Sequence, residues 1–327
     1  MSKKQKSAKS DGELAGKRAT SYDVAKLAGV SQSAVSRVFQ DGASASKAMR
    51  DRVMAAADQL GYRPNAIARG LITRRSNMVA VVISKLTNLY YPEVLVKLTQ
   101  NFSEHGVRVL LFALEREGDT ESVIEQMLQY RVDGVLTAAI FTPDQLKTIS
   151  NAQIPVVFYN RSLQDQLVSS VRCDQEEGER WLVDGLVNAG HKSFGIVEGP
   201  PDSVVSIERK MGALNKLKDL GITDITTVSG DFGYTTGREC FTRLVEKHGS
   251  APDAVIAAND VMAIGCIDEA RENHGLDVPG DISIVGFDGV GQARYAAYDV
   301  TTVRQPIQRM TESAVSMLIE RIENPEL

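Results

Sequence analysis

Residues 20–39 read Thr-Ser-Tyr-Asp-Val-Ala-Lys-Leu-Ala-Gly-Val-Ser-Gln-Ser-Ala-Val-Ser-Arg-Val-Phe, two short helical patterns on either side of a glycine. Thr20 or Ser21 supplies a hydroxyl that can cap the first helix by accepting an orphan N–H of its first turn. Val24, Leu27 and Ala28 fall at the i, i+3, i+4 spacing of one apolar face. Gly29 permits the backbone reversal that a side chain would resist. Ser31 caps a second helix on which Val35, Val38 and Phe39 face inward. Gln32, Ser33, Ser36 and Arg37 are left facing out, and such side chains hydrogen-bond to base edges or phosphates. The pattern predicts a helix-turn-helix whose second helix enters a major groove.

Working outward, Asp41-Gly42 marks a loop, and Ser46 caps a third helix over Lys47–Leu60 with Val53, Ala57 and Leu60 as its inner stripe. Gly61 stops that helix and Pro64 punctuates the chain. Asn65 can cap a single short turn ending at Leu71. A helix so short is marginal alone in water, so this piece is either an ordinary linker or an element that forms only against a partner. Leu71 is apolar with no evident core to join. Residues 1–18 are Lys, Ser, Gly and Ala with almost nothing apolar, and are expected to be a disordered tail.

Charge divides the chain. Residues 1–75 hold 15 Lys and Arg against 6 Asp and Glu, whereas the remainder holds 22 against 36. A basic head on an acidic body suits a head that meets phosphate and a body that meets something else. No apolar run approaches membrane-spanning length, and the Lys-rich start lacks the apolar stretch of a signal peptide. Cys173, Cys240 and Cys266 are widely spaced and read as reduced packing thiols of a cytoplasmic protein. The four histidines share no metal-ligand spacing with them, so neither metal nor cofactor is expected.

From Asn77 short β-branched runs alternate with helical stretches. Strands are predicted over 79–84, 107–111, 134–138, 156–159, 194–198, 254–257 and 282–286. Helices are predicted over 91–105, 120–131, 142–150, 176–189, 206–220, 235–247, 260–273 and 309–322. This alternation means parallel sheets flanked by helices, in two units, with ligands at the carboxyl ends of the strands. The loops there carry Asn88, Tyr90, Tyr91, Asn160, Arg161, Asp174, Arg209, Asp231, Phe232, Asn259, Asp260 and Asp288. Amides, carboxylates, guanidinium groups and rings suit a polyhydroxylated ligand, although Asn or Asp at a strand end can equally cap the next helix.

The runs Asp23-Val24-Ala25, Gly29-Val30-Ser31 and Val35-Ser36-Arg37-Val38, with Leu60-Gly61-Tyr62-Arg63-Pro64-Asn65-Ala66 and Ala68-Arg69-Gly70-Leu71 at matching spacing, resemble the lac repressor/galactose repressor (LacI/GalR) family of bacterial transcription regulators. Gly190-His191, Ala258-Asn259-Asp260, Val285-Gly286-Phe287-Asp288 and Thr301 to Pro306 fit as well. The resemblance covers residues 19–322. It implies an N-terminal all-α helix-turn-helix domain (19–63), a hinge helix and linker (64–76), and a two-lobed, periplasmic-binding-protein-like α/β domain for effector binding and dimerisation (77–327). It places Gln32 and Ser33 at the family's base-reading positions with Ser36 and Arg37 beside them, and assigns Ser21, Tyr22, Ser31 and Asn65 to phosphate. Ala68 belongs to the hinge contact, and Leu71 would wedge into the minor groove. Arg209, Asn259 and Asp288 match its sugar-hydroxyl contacts, Phe232 its aromatic cover, Gln305 the inter-lobe crossover, and Asn88, Tyr91, Asn160 and Asp174 pocket positions.

Departures from the family pattern include Ala34 for the usual Thr, where a methyl could meet thymine, and Gln175 for Asn after Asp174. The expected function is a sequence-specific DNA-binding transcriptional regulator, a repressor. It would act as a homodimer on pseudo-palindromic operator DNA under a sugar, sugar-acid or sugar-phosphate effector. A purine or nucleoside effector, or a solute-binding protein without DNA function, are the competing readings. An enzyme is not expected: no Gly-rich phosphate loop and no Ser/His/Asp set in a nucleophile elbow is present.

Overall fold

The computed structural model describes residues 19–40, 44–64, 75–84, 88–114, 119–161 and 168–326. The expected tail 1–18 and the hinge residues Asn65, Ala68 and Leu71 lie outside the described residues. The chain divides into two compact units, Met1–Ser76 and Asn77–Leu327.

The first unit holds α1 (Ser21–Ala28), α2 (Gln32–Val38) and α3 (Lys47–Gln59). Thr20 is the cap of α1: its hydroxyl accepts the Asp23 N–H while the Asp23 carboxylate accepts the Thr20 N–H at 2.8 Å. Gly29, at φ 64°, closes the helix in the left-handed region, and Ser31 and Ser46 cap α2 and α3. Val24, Val35, Val38, Val53, Ala56 and Ala57 form the core, and Phe39 meets Tyr62 edge-on with centroids 5.8 Å apart.

Two expected core positions are corrected. Leu27 is 46% exposed and Leu60 37%. On α1 the inner stripe runs through Val24, Ala28 and Ala25, at about 0°, 40° and 100° on the helical wheel, which leaves Leu27 at about 300°, off the opposite edge of the stripe. Leu60 is already the C-cap of α3, beyond its last inward turn.

The second unit has two lobes, each a five-stranded, all-parallel sheet. The first contains β1 (Met78–Ser84), β2 (Arg108–Leu114), β3 (Gly134–Thr137), β4 (Val156–Tyr159) and β5 (Ser170–Val171), in the order β2-β1-β3-β4-β5. The helices α4 (Tyr90–Glu104), α5 (Thr120–Tyr130) and α6 (Pro143–Asn151) lie between these strands in sequence. The second sheet holds β6 (Phe194–Glu198), β7 (Ile225–Ser229), β8 (Ala254–Ala257), β9 (Ser283–Asp288) and β10 (Thr301–Arg304), in the order β10-β9-β8-β6-β7. It carries α7 (Gln175–Asn188), α8 (Val204–Asp219), α9 (Tyr234–His248) and α10 (Asp260–Glu272). The chain enters the second lobe after β5 and returns after β10, where α11 (Ile307–Glu323) packs on β3, β4, β5 and α4.

Both faces of each sheet are covered, as parallel strands require. Val79, Val81, Leu136 and Val157 pack with Leu98, Ala314 and Leu318 on one face of the first sheet. Val82, Val135 and Phe158 pack with Ile124 and Ile149 on the other. Burial on both faces explains the continuous apolar runs of β1 and β8. The strands not predicted from the sequence, β5, β7 and β10, are all sheet edges. Ile-Thr-Thr-Val-Ser and Thr-Thr-Val-Arg are partly exposed there, so no apolar run announces them.

Candidate functional site

On the first unit, α2 presents Ser33, Ser36 and Arg37 to solvent, with Tyr22 of α1 72% exposed. Ser31 and Ser33 share a hydrogen bond of 2.9 Å, and the Gln32 amide donates to the Ser21 hydroxyl at 3.3 Å. Gln32 is therefore half-buried and held in place. Ala34 is a correction: it lies with Val35 and Val38 on the inner stripe of α2 and is buried, so its methyl is not offered outward. The Arg50 guanidinium donates to the Val38 carbonyl at 3.3 Å and braces the end of α2 against α3.

On the second unit a cleft of about 650 Å³ opens at the carboxyl ends of both sheets. From the first lobe it is lined by Ser84 at the end of β1, by Asn88 before α4 and Tyr91 in its first turn, and by Asn160 and Arg161 after β4. From the second lobe come Asp202 and Ser203 after β6, Arg209 on α8, Asp231 and Phe232 after β7, and Asp288 ending β9. The Asn160, Phe232 and Asp288 backbones have positive φ, at 53°, 72° and 112°. Non-glycine residues hold such angles at a cost of order 1–3 kcal/mol each, and only where surrounding structure imposes them.

Arg209 is the centre of the polar network. Its Nε donates to Gln175 Oε1 at 2.8 Å, Nη1 to the Ala258 carbonyl at 2.5 Å and Nη2 to Asp288 Oδ1 at 2.7 Å. The guanidinium lies 3.9 Å above the Phe287 ring. Both Arg209 and Asp288 are buried, where an ion pair holds only if its remaining polar atoms are satisfied. Gln305 satisfies Asp288 by donating from Nε2 at 2.7 Å, and accepts the Tyr90 hydroxyl on Oε1 at 3.1 Å. Tyr90 also meets the Tyr159 hydroxyl at 3.2 Å, and burial pushes both phenols above their usual range, so they stay protonated.

On the other side Gln175 Nε2 donates to Asn160 Oδ1 at 3.0 Å. Asn160 follows Tyr159 in the chain, so the hydrogen bonds close a ring through both lobes. Asp260, at the start of α10, accepts from the Val290 N–H and the Thr302 hydroxyl. Burial, with the Asp288 charge adding to it, pushes the Asp260 carboxyl up to about 7.

Of the residues expected to meet an effector, Asn88, Tyr91, Asn160, Arg209, Phe232 and Asp288 line the cleft. Asp174, Asn259 and Gln305 do not. Asp174 is exposed and caps α7 through the Glu177 N–H. Asn259 is buried, caps α10 through the Met262 N–H and donates to the Phe232 carbonyl at 3.1 Å, so it holds the aromatic residue in place. Gln305 is spent on Asp288 and Tyr90. Asp202, Ser203 and Tyr234 line the cleft without having been singled out. Ser203 is the α8 cap, a signal visible in the sequence; nothing local marks the other two. Among the described residues no cluster of His, Cys, Asp or Glu is placed to hold a metal ion, and no helix is long and apolar enough to cross a membrane.

The two units match known proteins. Residues 20–65 match the family model described as bacterial regulatory proteins, lacI family, and residues 183–327 match the periplasmic binding protein-like domain. The chain is 34% identical over 319 residues to the HTH-type transcriptional regulator CelR of Thermobifida fusca, covering 94% of this chain and 92% of that one. Its fold matches the lac repressor dimer bound to operator and the anti-inducer ONPF with a TM-score of 0.86, at 28% identity, covering 95% and 94% of the two chains. A transcriptional regulator CelR–cellobiose complex matches with a TM-score of 0.69 at 30% identity, covering 94% of each chain. With a helix-turn-helix head and a two-lobed α/β body both in register with these regulators, the chain belongs to the LacI family of bacterial DNA-binding transcription regulators.

Proposed function

We propose that the chain is a repressor that binds a pseudo-palindromic operator as a homodimer and is controlled by a neutral saccharide held between its lobes. The buried Arg209–Asp288 pair carries the effector reading. A fixed guanidinium and a fixed carboxylate at one cleft wall offer a donor and an acceptor to neighbouring hydroxyls, and Phe232 offers a ring face to C–H groups. Charge selects among sugars. The cleft lining holds Asp202, Asp231 and Asp288 against Arg161 and Arg209, a balance that favours a neutral ligand over a sugar acid or sugar phosphate. The relative solved with cellobiose supports a disaccharide-sized ligand.

On the head, Ser33, Ser36 and Arg37 supply the exposed polar face that enters the major groove, with Gln32 at its edge, and Ser21, Tyr22 and Ser31 near phosphate. Effector and operator affinities then change each other by the same factor, typically through about 1–3 kcal/mol of coupling. Gel shift against candidate operators, with and without a panel of neutral mono- and disaccharides, tests the reading. A sequence-selective shift relieved by one sugar is expected. A protein that shifts no sequence selectively would refute the regulator role, and unchanged affinity for the best sugar in Arg209→Ala would refute the cleft assignment.

A further inference from the structure

Behind the cleft, α7 carries a carboxyl that the network leaves out. Glu179 is 1% exposed, and neither of its carboxyl oxygens has a hydrogen-bond partner among the described residues. It borders a void of about 10 Å³ shared with Glu198, Ser206, Arg209, Lys210 and Ala258. The charged groups facing it are Arg209 and Lys210 on α8, Glu198 at the end of β6 and Asp288 at the end of β9; β8 and the residue after it bring only Ile256 and Ala258. Lys210 is already paired with Glu198 at 3.0 Å, and Arg209 with Asp288 at 2.7 Å. An ionised carboxylate buried without hydrogen bonds is costly, whereas the neutral acid is tolerated. Burial pushes the Glu179 carboxyl up to about 8, with the Arg209 charge pulling it back down.

We propose that Glu179 is a positioning residue for Arg209 that holds a proton at neutral pH, and that loss of this proton draws the guanidinium toward α7 and weakens effector binding. This rests on reading the cleft as the effector site. With Glu179 neutral, the Arg209 charge is answered by Asp288 alone and the pair faces the cleft as a fixed donor and acceptor. With Glu179 ionised, one guanidinium is shared between two carboxylates and the three groups together carry a net negative charge. Effector affinity therefore falls as pH rises through about 8, and a bound effector raises the proton affinity of Glu179 by the same factor.

The folded state holds this proton to higher pH than the unfolded chain does. Its stabilising contribution is complete below the ordinary glutamate range and is lost as pH rises through about 8.

The test uses the full chain, Glu179→Gln and Glu179→Met. Difference infrared spectroscopy between pH 6.5 and pH 9 should show, in the wild type, a carboxylic-acid C=O band lost above the range of Asp260 and missing from both variants, beside an Asp260 band that all three proteins share. Calorimetric titration with a panel of neutral mono- and disaccharides, cellobiose included, should give an affinity about fivefold weaker at pH 9 than at pH 6.5 in the wild type. In both variants the pH dependence should shrink to whatever Asp260 contributes through Asp288. A missing Glu179 band at pH 6.5 overturns the proton site whatever the sugars do. A Glu179 band together with equal pH dependence in wild type and Glu179→Gln overturns the positioning role. A Glu179 band with no sugar bound at either pH overturns the saccharide reading of the cleft, and the positioning role with it, while leaving the proton site standing.

Discussion

Ser33, Ser36 and Arg37 stand exposed on a two-turn helix, whereas Arg209, Asp288, Gln175 and Gln305 are buried and hydrogen-bonded to one another. Both sets are polar, and of the second Arg209 and Asp288 line the cleft. They differ in where the organising energy comes from. On α2 the side chains are short or freely solvated, and their partners must come from the nucleic acid, so fixing them is part of the cost of binding. In the cleft the protein has already paired each donor with an acceptor, and a ligand meets groups whose positions are set. A reader of many sequences gains from the first arrangement and a chooser of one small molecule from the second.

That contrast can be broken from the cleft side first. Asp288→Ala would strand the Arg209 charge in a buried site. Unfolding in urea should register a loss of about 3–5 kcal/mol, the cost of breaking one half of a buried pair. A loss under 1 kcal/mol would mean that the network is not preorganised. Gln305→Ala removes the bond to Asp288 and the acceptor for Tyr90, and about 1–3 kcal/mol should follow in the same measurement. Arg37→Ala sharpens the comparison from the other side. Stability should stay within about 0.5 kcal/mol, while operator affinity falls by about 1–3 kcal/mol if Arg37 reads a base. A uniform loss across sequences, with the salt slope reduced by about 1, would assign Arg37 to phosphate. Leu27→Gln is the smallest: an exposed position on α1 should tolerate it within about 0.5 kcal/mol in thermal melts. A larger loss would return Leu27 to the core of the head.

Much of the fold was legible because its signals are local. The caps Ser31 and Ser46 and the glycine at 29 are single-residue events, and the central strands β1, β4, β6 and β8 are apolar runs that announce themselves. What stayed hidden depends on neighbours distant in sequence. The edge strands β5, β7 and β10 become strands because an inner strand offers them a ladder. Asp174 and Asn259 carry the right chemistry for a pocket, but their oxygens are taken by the N–H groups of the helices they start. Gln175 looked like a mere replacement for asparagine. In the fold it joins Asn160 of one lobe to Arg209 of the other, a role its longer side chain allows. Glu179, between apolar and polar neighbours on α7, gave no sign that it would be buried.

The return of α11 to the first lobe has a consequence for synthesis. The first sheet is made early, but one of its faces is closed by Ile307, Met310, Ala314, Val315 and Leu318, from near the end of the chain. The second lobe is built from a single continuous span and needs nothing that comes later. On a ribosome moving at about 5–20 residues per second, the earlier-made lobe waits on the order of ten seconds for its last helix while the later-made lobe can finish. The first lobe therefore presents apolar surface to its surroundings throughout translation of the second.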